Sequence, residues 1–175
     1  YAVSVKTQPA GQSCTLRNAS GTMASANVST VEVACATSMA SLPEGDWKQD
    51  LCAPLRPGVW GRNVWRITRQ SESRVAFSQT LAEYGDAQCA GTGTLLATAP
   101  TSLGTVVFDR SGANAALTAF WGLWNQPTGL ASRTVWARKG TYLCALGDAS
   151  PSILPTPDSV ESAANLSIAG KSCYT

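Results

Sequence analysis

The sequence predicts an all-β protein, in which a short three-stranded N-terminal segment is followed by an antiparallel β-barrel or β-sandwich. Three observations support this fold class. Apolar and polar residues alternate with a period of two in most segments. Loops rich in Gly, Pro, Asn and Ser separate these segments at a spacing of roughly ten residues, which is typical of a meander of short strands. Six cysteines are spread along the chain.

The composition fits a globular protein of low charge. The 175 residues are 44% hydrophobic, which is enough for a buried core. Only 14% of the residues are charged, and Ser, Thr, Ala and Gly are abundant, as in many secreted β proteins. The net charge of +2 is too small for a nucleic-acid-binding surface, and no apolar run is long enough to span a membrane. We therefore expect neither a nucleic-acid partner nor a transmembrane span.

The cysteines predict three disulfides. Their number is even, and none belongs to a CxxC unit of the kind that binds zinc or catalyses thiol exchange. Disulfides imply an oxidising compartment, and we expect the protein to be extracellular or on the cell surface, with the periplasm as a further option. In a chain of successive hairpins, neighbours in sequence are neighbours in space. We therefore predict three pairs among the fifteen possible connectivities, namely Cys14–Cys35, Cys52–Cys89 and Cys144–Cys173.

The N-terminal segment contains three predicted strands. In residues 1–7, Tyr1, Val3 and Val5 alternate with smaller or polar residues, which is typical of a half-buried strand. Residues 14–18 and 28–36 form the second and third strands, and a turn at 18–21 follows the second. Three short strands cannot enclose a core alone.

These residues also resemble a known family. The run YAVSVKTQPAGQSCTLRNASGT, continued by ANV and by VEVAC ending at Cys35, is similar to the C-terminal half of an immunoglobulin-like repeat of bacterial surface and secreted proteins. The resemblance covers residues 1–36 and implies a partial immunoglobulin-like β module with its two cysteines bridged. The preceding half of the repeat is absent from the sequence.

A linker and a second domain follow. Residues 37–45 have the small, polar and Pro/Gly character of a linker, so we place the second domain at 46–175. A single helix is expected where Pro157 precedes an Asp-x-x-Glu capping pattern that begins at Asp158. The strands predicted in this domain are residues 62–70, 73–84, 93–98, 104–109, 114–124, 133–138 and 141–146.

The start of the second domain carries another resemblance. Gly45-Asp46-Trp47 is similar to the Gly-x-Trp that opens the first strand of lipocalin-type barrels. A Trp-x4-Cys pattern ending at Cys52, followed by Tyr-x4-Cys-x-Gly around Cys89, resembles small secreted bacterial barrels. The resemblance implies a barrel architecture.

The chain contains no histidine, and this removes most catalytic templates. The close acidic pairs are Asp46 with Asp50 and Glu83 with Asp86, and both lie beside cysteines at predicted turns, as solvated loop charges do. The loop at Asp109 has one carboxylate where a calcium loop needs several. We therefore predict a protein without catalytic activity, cofactor or metal.

Six tryptophans are the most suggestive side chains. Trp60 with Arg62, and Trp124 with Asn125, lie near predicted turns, where flat aromatic faces beside polar groups form glycan-binding or protein-binding patches. The alternative is that tryptophans fill the core of the barrel. We expect that role for Trp47, Trp65, Trp121 and Trp136.

Two functions follow as hypotheses. The first is a structural or assembly subunit, adhesin-like or filamentous, whose partners are other copies of itself or another surface protein. Its assembly strand would contain Tyr1, Val3 and Val5, because the unpaired edges of the N-terminal segment can accept a strand from a neighbour. The alternative is a secreted barrel that binds a small ligand or glycan through exposed tryptophans. Residues 1–36 could instead fold back against their own barrel.

Overall fold

The computed structural model describes residues 1–7, 12–25, 27–37, 40–95, 100–147 and 153–175. Within these residues the chain is mostly β, as predicted, with eleven strands and one helix. Most strands of the larger sheet pair with a neighbour in sequence, so this sheet is largely a meander. The elements are β1 (Gln12–Arg17), β2 (Glu32–Thr37), β3 (Gly45–Lys48), β4 (Ala53–Arg56), β5 (Val59–Arg69), β6 (Arg74–Tyr84), β7 (Thr94–Leu95), β8 (Thr101–Ala113), β9 (Thr118–Asn125), β10 (Ala131–Lys139), β11 (Tyr142–Ala145) and α1 (Pro157–Ala169).

The N-terminal segment is a two-stranded sheet rather than a three-stranded one. β1 and β2 pair antiparallel, with Cys14 directly opposite Cys35. The predicted first strand at residues 1–7 is wrong, because its pairing consists of one bridge between Ala2 and Ser20. Val3, which the prediction places in that strand, is 44% exposed. The third strand begins at residue 32 instead of 28. Alternation alone does not make a strand when no second strand lies alongside it.

The remaining nine strands form one antiparallel sheet. Its order is β11-β10-β9-β8-β6-β5-β3, and β4 and β7 pair with β5 and β6 at one end. β9 begins at Thr118 rather than at the predicted residue 114. The cause is a turn, in which the Asn114 side chain accepts hydrogen bonds from the backbone N–H groups of Ala116 and Leu117, both at 2.9 Å. Residues 96–98 of another predicted strand lie outside the described residues.

Residues 173–175 bring the two ends of this sheet together. Tyr174 forms antiparallel bridges with Leu143 in β11 on one side and with Gln49, just after β3, on the other. Lys48 and Thr175 exchange backbone hydrogen bonds of 2.8 and 2.7 Å. The sheet is therefore an almost closed antiparallel barrel, which decides between the barrel and the sandwich that the sequence allowed.

The inward face of the barrel forms the main hydrophobic core. Leu42, which lies in the predicted linker, belongs to this core and is 4% exposed. Its neighbour Pro43 is buried as well, and the backbone N–H of Ala40 donates a hydrogen bond of 3.0 Å to the Ser111 hydroxyl. This stretch therefore packs into one end of the barrel. The buried members of the core are Leu42, Trp65, Ile67, Val75, Phe77, Val106, Phe108, Phe120, Trp136, Leu143 and Tyr174.

The helix α1 packs outside the barrel against β9, β10 and β11. The predicted helix is present, and its N-cap is Thr156 rather than Asp158. The Thr156 hydroxyl accepts a hydrogen bond from the Ser159 backbone N–H, and the Ser159 side chain completes the capping box. Within the described residues, no helix combines the length and apolar character needed to cross a bilayer.

The three predicted disulfides are confirmed, and no described cysteine is free. Each lies in a different part of the fold. Cys14–Cys35 joins β1 to β2, whereas Cys52–Cys89 belongs to an outer cluster with Val64, Ala82 and Tyr84. Cys144–Cys173 is buried between the sheet and α1, and so fixes the segment that closes the barrel.

Candidate functional site

The inward face of the barrel contains a cavity of about 260 Å³. Strands β5, β6, β8, β9, β10 and β11 contribute to its wall, together with the segment that closes the barrel. Five of the ten lining residues are aromatic. The lining residues are Trp65, Phe77, Leu103, Trp124, Thr134, Trp136, Ala145, Gly147, Ser172 and Tyr174.

The aromatic rings hold one another in place around the cavity. Trp65 stacks on Tyr174 with ring centroids 3.9 Å apart and planes at 23°. On its other side Trp65 stacks on Trp136 at 5.8 Å, with planes at 29°. Phe77 meets the edge of Trp136 at 5.3 Å and tilts against Trp124 at 5.9 Å. Such contacts restrict rotation of the rings, so the wall is a fixed and largely flat apolar surface.

Among the described residues, those that line the cavity include few polar groups and no charged side chain. Thr134 and Ser172 contribute hydroxyls, and the indole N–H of Trp124 already donates a hydrogen bond of 2.6 Å to the Leu103 carbonyl. Burial raises the pKa of the Tyr174 phenol to about 12. Tyr174 therefore stays protonated and neutral throughout the physiological pH range.

Three carboxamide side chains form a hydrogen-bonded relay that ends on the cavity wall. The indole N–H of Trp65 donates to Gln79 Oε1 at 3.1 Å. Gln79 Nε2 donates to Asn63 Oδ1 at 3.3 Å, and Asn63 Nδ2 donates to Gln49 Oε1 at 2.9 Å. All three carboxamides are half-buried. The relay therefore holds the indole N–H of Trp65 toward Gln79.

The four predicted contact residues lie in two separate places. Trp124 is half-buried and lines the cavity instead of standing on the outer surface, and Asn125 follows it with its amide 3.5 Å from the Leu123 carbonyl. Trp60 packs against the outer cluster of the Cys52–Cys89 disulfide. Arg62 donates a hydrogen bond of 2.9 Å to the Gln88 carbonyl nearby. The structure therefore does not bring the two Trp-containing pairs together.

Of the four tryptophans predicted to fill the barrel core, three lie in it or against it, and the prediction is wrong for Trp121. Trp65 and Trp136 belong to the barrel core, and Trp47 is half-buried against it. Trp121 is buried outside the barrel, beneath α1, where its indole N–H donates to the Leu154 carbonyl at 2.6 Å. Its position on the opposite face of β9 from Trp124 is a consequence of the odd spacing between the two residues.

Sequence reasoning missed Phe77, Leu103 and Tyr174 as site residues. Phe77 carries a signal, because it is an inward position in an alternating strand. Tyr174 carries no such signal, because it pairs through isolated single-residue bridges, and a single residue cannot show an alternating pattern. As for metals, no cluster of three or more potential His, Cys, Asp or Glu ligands occurs within the described residues.

Comparisons of the chain with protein-family models, with curated proteins and with solved structures found no match. The proposed function therefore rests on the cavity and the residues that line it.

Proposed function

We propose that the barrel binds a small, uncharged and largely apolar molecule in the aromatic cavity. The observation that carries this proposal is the space of about 260 Å³ bounded by Trp65, Trp124 and Tyr174. Protein interiors are normally close-packed, with few voids larger than a water molecule. Concave, mostly apolar spaces with a few polar groups are where small molecules bind to proteins, because a ligand there buries most of its surface.

The lining favours binding over chemistry. Catalysis by acid, base or nucleophile needs a group that gains or loses a proton near neutral pH, or one that is activated by such a group. Among the lining residues that the structure describes, the only ionisable side chain is that of Tyr174, whose pKa lies at about 12. A binding protein needs no such group, and the wall offers mainly ring faces.

The size and polarity of the cavity limit the class of ligand. An apolar cavity of about 150 Å³ binds a single benzene ring. A space of about 260 Å³ suits one or two fused rings or a short branched hydrocarbon. A glycan fits less well, because its hydroxyls would lose water contacts against an apolar wall. The three disulfides favour a site of action in an oxidising compartment, outside the cytoplasm.

Fluorescence titration tests this proposal. The uncharged dye N-phenyl-1-naphthylamine should bind with one-to-one stoichiometry, gain emission and quench the tryptophans of the wall. The variant Ala145→Phe places a ring inside the cavity, since Ala145 lines it. We expect this variant to weaken dye binding at least tenfold. The matched control is Ala113→Phe, which adds the same ring at an exposed position at the end of β8.

Two results would contradict the proposal. Dye binding of equal strength in Ala145→Phe and in the unmodified protein would place the dye elsewhere. Absence of binding across uncharged aromatic and aliphatic compounds would show that the cavity has no such ligand. A stable fold of each variant, checked by circular dichroism, makes either result interpretable.

Assembly by strand sharing is the second candidate function. It is favoured by the two-stranded sheet, in which β1 and β2 each keep one edge without a partner strand among the described residues. Val33 of β2 is 63% exposed. Edges of this kind accept a strand from another copy, and repeated addition gives a filament.

Sedimentation velocity distinguishes this second function from the first. If the edges of β1 and β2 mediate assembly, the protein should form concentration-dependent oligomers that disappear when residues 1–36 are deleted. A protein that stays monomeric at high concentration, with or without these residues, would exclude assembly through the sheet. Ligand binding in the barrel is independent of this outcome.

A further inference from the structure

The carboxamide relay has a direction that chemistry fixes. The indole nitrogen of Trp65 can only donate a hydrogen bond, so Gln79 must turn its oxygen toward Trp65. The amide nitrogen of Gln79 then faces Asn63, which must accept with its own oxygen. In turn Asn63 presents its nitrogen to Gln49, which accepts with Oε1. Each carboxamide is therefore locked in one of its two possible orientations.

The relay ends in an unused donor. Because Gln49 accepts through Oε1, its Nε2 group with two hydrogens points away from Asn63. Within the described part of the chain, no protein group accepts a hydrogen bond from this nitrogen, and Gln49 is only half-buried. The donor is thus available to a water molecule or to a ligand.

The unused donor belongs to a residue on the inward face of the barrel, next to one that lines the cavity. Gln49 and Tyr174 are bridge partners on neighbouring segments of the barrel, and residues opposite each other across an antiparallel pair project from the same face. Tyr174 lines the cavity, so Gln49 lies on the same inward face, next to a lining residue although it is not one itself. The described residues that line the cavity are mainly apolar, and none of them has a charged side chain.

We propose that Gln49 Nε2 recognises an acceptor on the ligand, and that the ligand is an uncharged ring compound bearing a carbonyl or similar acceptor group. This inference rests on the proposed function, since it assigns the polar contact of the same cavity. The aromatic wall binds the ring, and Gln49 orients it. Asn63 and Gln79 act as positioning residues, because they hold the Gln49 amide in the donating orientation.

A pair of probes with the same shape isolates this contact. The ketone 2-acetylnaphthalene and the alkene 2-isopropenylnaphthalene differ only in a carbonyl oxygen that replaces a terminal methylene group. By isothermal titration calorimetry, the ketone should bind about fivefold more tightly than the alkene, as expected for one net hydrogen bond. In ¹H–¹⁵N spectra, the ketone alone should shift the side-chain amide resonances of Gln49.

Two substitutions change the hydrogen bonds of the relay while keeping each side chain the same size. Gln49→Glu keeps an oxygen for Asn63 but replaces the donor with an acceptor, so the preference for the ketone should disappear while alkene affinity stays within twofold. Asn63→Asp should turn Gln49 around, because an aspartate accepts the Gln49 amide, and should also abolish the preference. Gln88→Glu is the charge-matched control, since Gln88 is exposed in the loop outside the barrel.

The outcomes separate this inference from the one on which it rests. Equal binding of ketone and alkene to the unmodified protein would overturn the role of Gln49 while leaving the cavity as a ligand site. A ketone preference that survives in Gln49→Glu would do the same. If neither probe binds, both proposals fail.

Discussion

Tyr174 stacks on Trp65 with 3.9 Å between ring centroids, and this contact joins the segment that closes the barrel to the centre of its core. The same two rings form adjoining parts of the cavity wall. Closure of the barrel and the shape of the cavity therefore depend on one aromatic pair.

Replacing Tyr174 tests this dependence. Tyr174→Ala should lower the free energy of unfolding by about 3–5 kcal/mol, because a buried ring is lost from the core. Tyr174→Phe keeps the stacked ring and should cost much less. Urea unfolding followed by tryptophan fluorescence measures both. Equal stability of the Ala and Phe variants would show that the stacking contributes little.

The disulfides provide a second prediction, with an internal control. Removing Cys144–Cys173 by a double alanine substitution should destabilise the barrel by about 3–4 kcal/mol, from the loop-closure entropy of the unfolded chain. Removing Cys14–Cys35 in the same way should leave the barrel transition unchanged, because β1 and β2 form a separate sheet. All six tryptophans lie in the barrel sequence, so their fluorescence reports on this transition alone. A loss of similar size in both variants would contradict the prediction.

A pH dependence follows from the contact between α1 and the sheet. Hydrogen bonds from Lys139 and Asn114 lower the pKa of the Glu161 carboxyl, so the folded state holds this proton less tightly than the unfolded state. The stabilisation is present above the ordinary carboxyl pKa of about 4.3 and is lost as pH falls through the lower folded value.

Glu161→Gln should therefore reduce the loss of Tm between pH 6 and pH 3. The matched control is Glu72→Gln, at an exposed loop position without an ion pair in the described part of the chain. An acid dependence that is unchanged in Glu161→Gln would show that this carboxylate does not contribute.

A fourth prediction concerns the close approach of β8 and β9. A Cβ atom at Gly122 would lie 2.5 Å from the Val107 carbonyl oxygen and 2.9 Å from the Phe108 Cα, and neither backbone atom can move aside easily. Gly122→Ala should thus destabilise the barrel by more than about 2 kcal/mol. Gly85→Ala is the control, because no atom lies within 4 Å of the added Cβ. Thermal unfolding measures the Tm of both variants, and similar Tm values would contradict the predicted steric conflict at Gly122.

Sequence reasoning succeeded where local pattern and neighbouring partners agree. β5 and β6 alternate clearly and pair with each other, so their strand character is visible in the sequence. The disulfide pairs follow from the same meander, because adjacent hairpins bring adjacent cysteines together. β4 was not predicted, since it contains Pro54, and proline is usually confined to the edges of sheets, which is where β4 pairs with β5.

The other features of the fold and of the site could not be predicted, because they depend on tertiary contacts that a local sequence pattern does not reveal. Residues 1–7 alternate but have no full partner strand. Leu42 stands among small and polar residues, yet the end of the barrel buries it. The cavity is also invisible in the sequence, because it depends on how far inward side chains from six strands reach toward one another. Trp124 is an example, because its position near a predicted turn suggested exposure on the surface, whereas its side chain lines the cavity.

Closure of the barrel by residues 173–175 has a consequence for the order of folding. Lys48 and Thr175 exchange backbone hydrogen bonds although almost the whole barrel sequence separates them. Pairings between such distant segments form late, because loop-closure entropy opposes them. We therefore expect the hairpins to assemble first as an open sheet. In the native protein this seam should also open most readily, so the amides of Lys48 and Thr175 should exchange with solvent faster than those at the centres of β5 and β6.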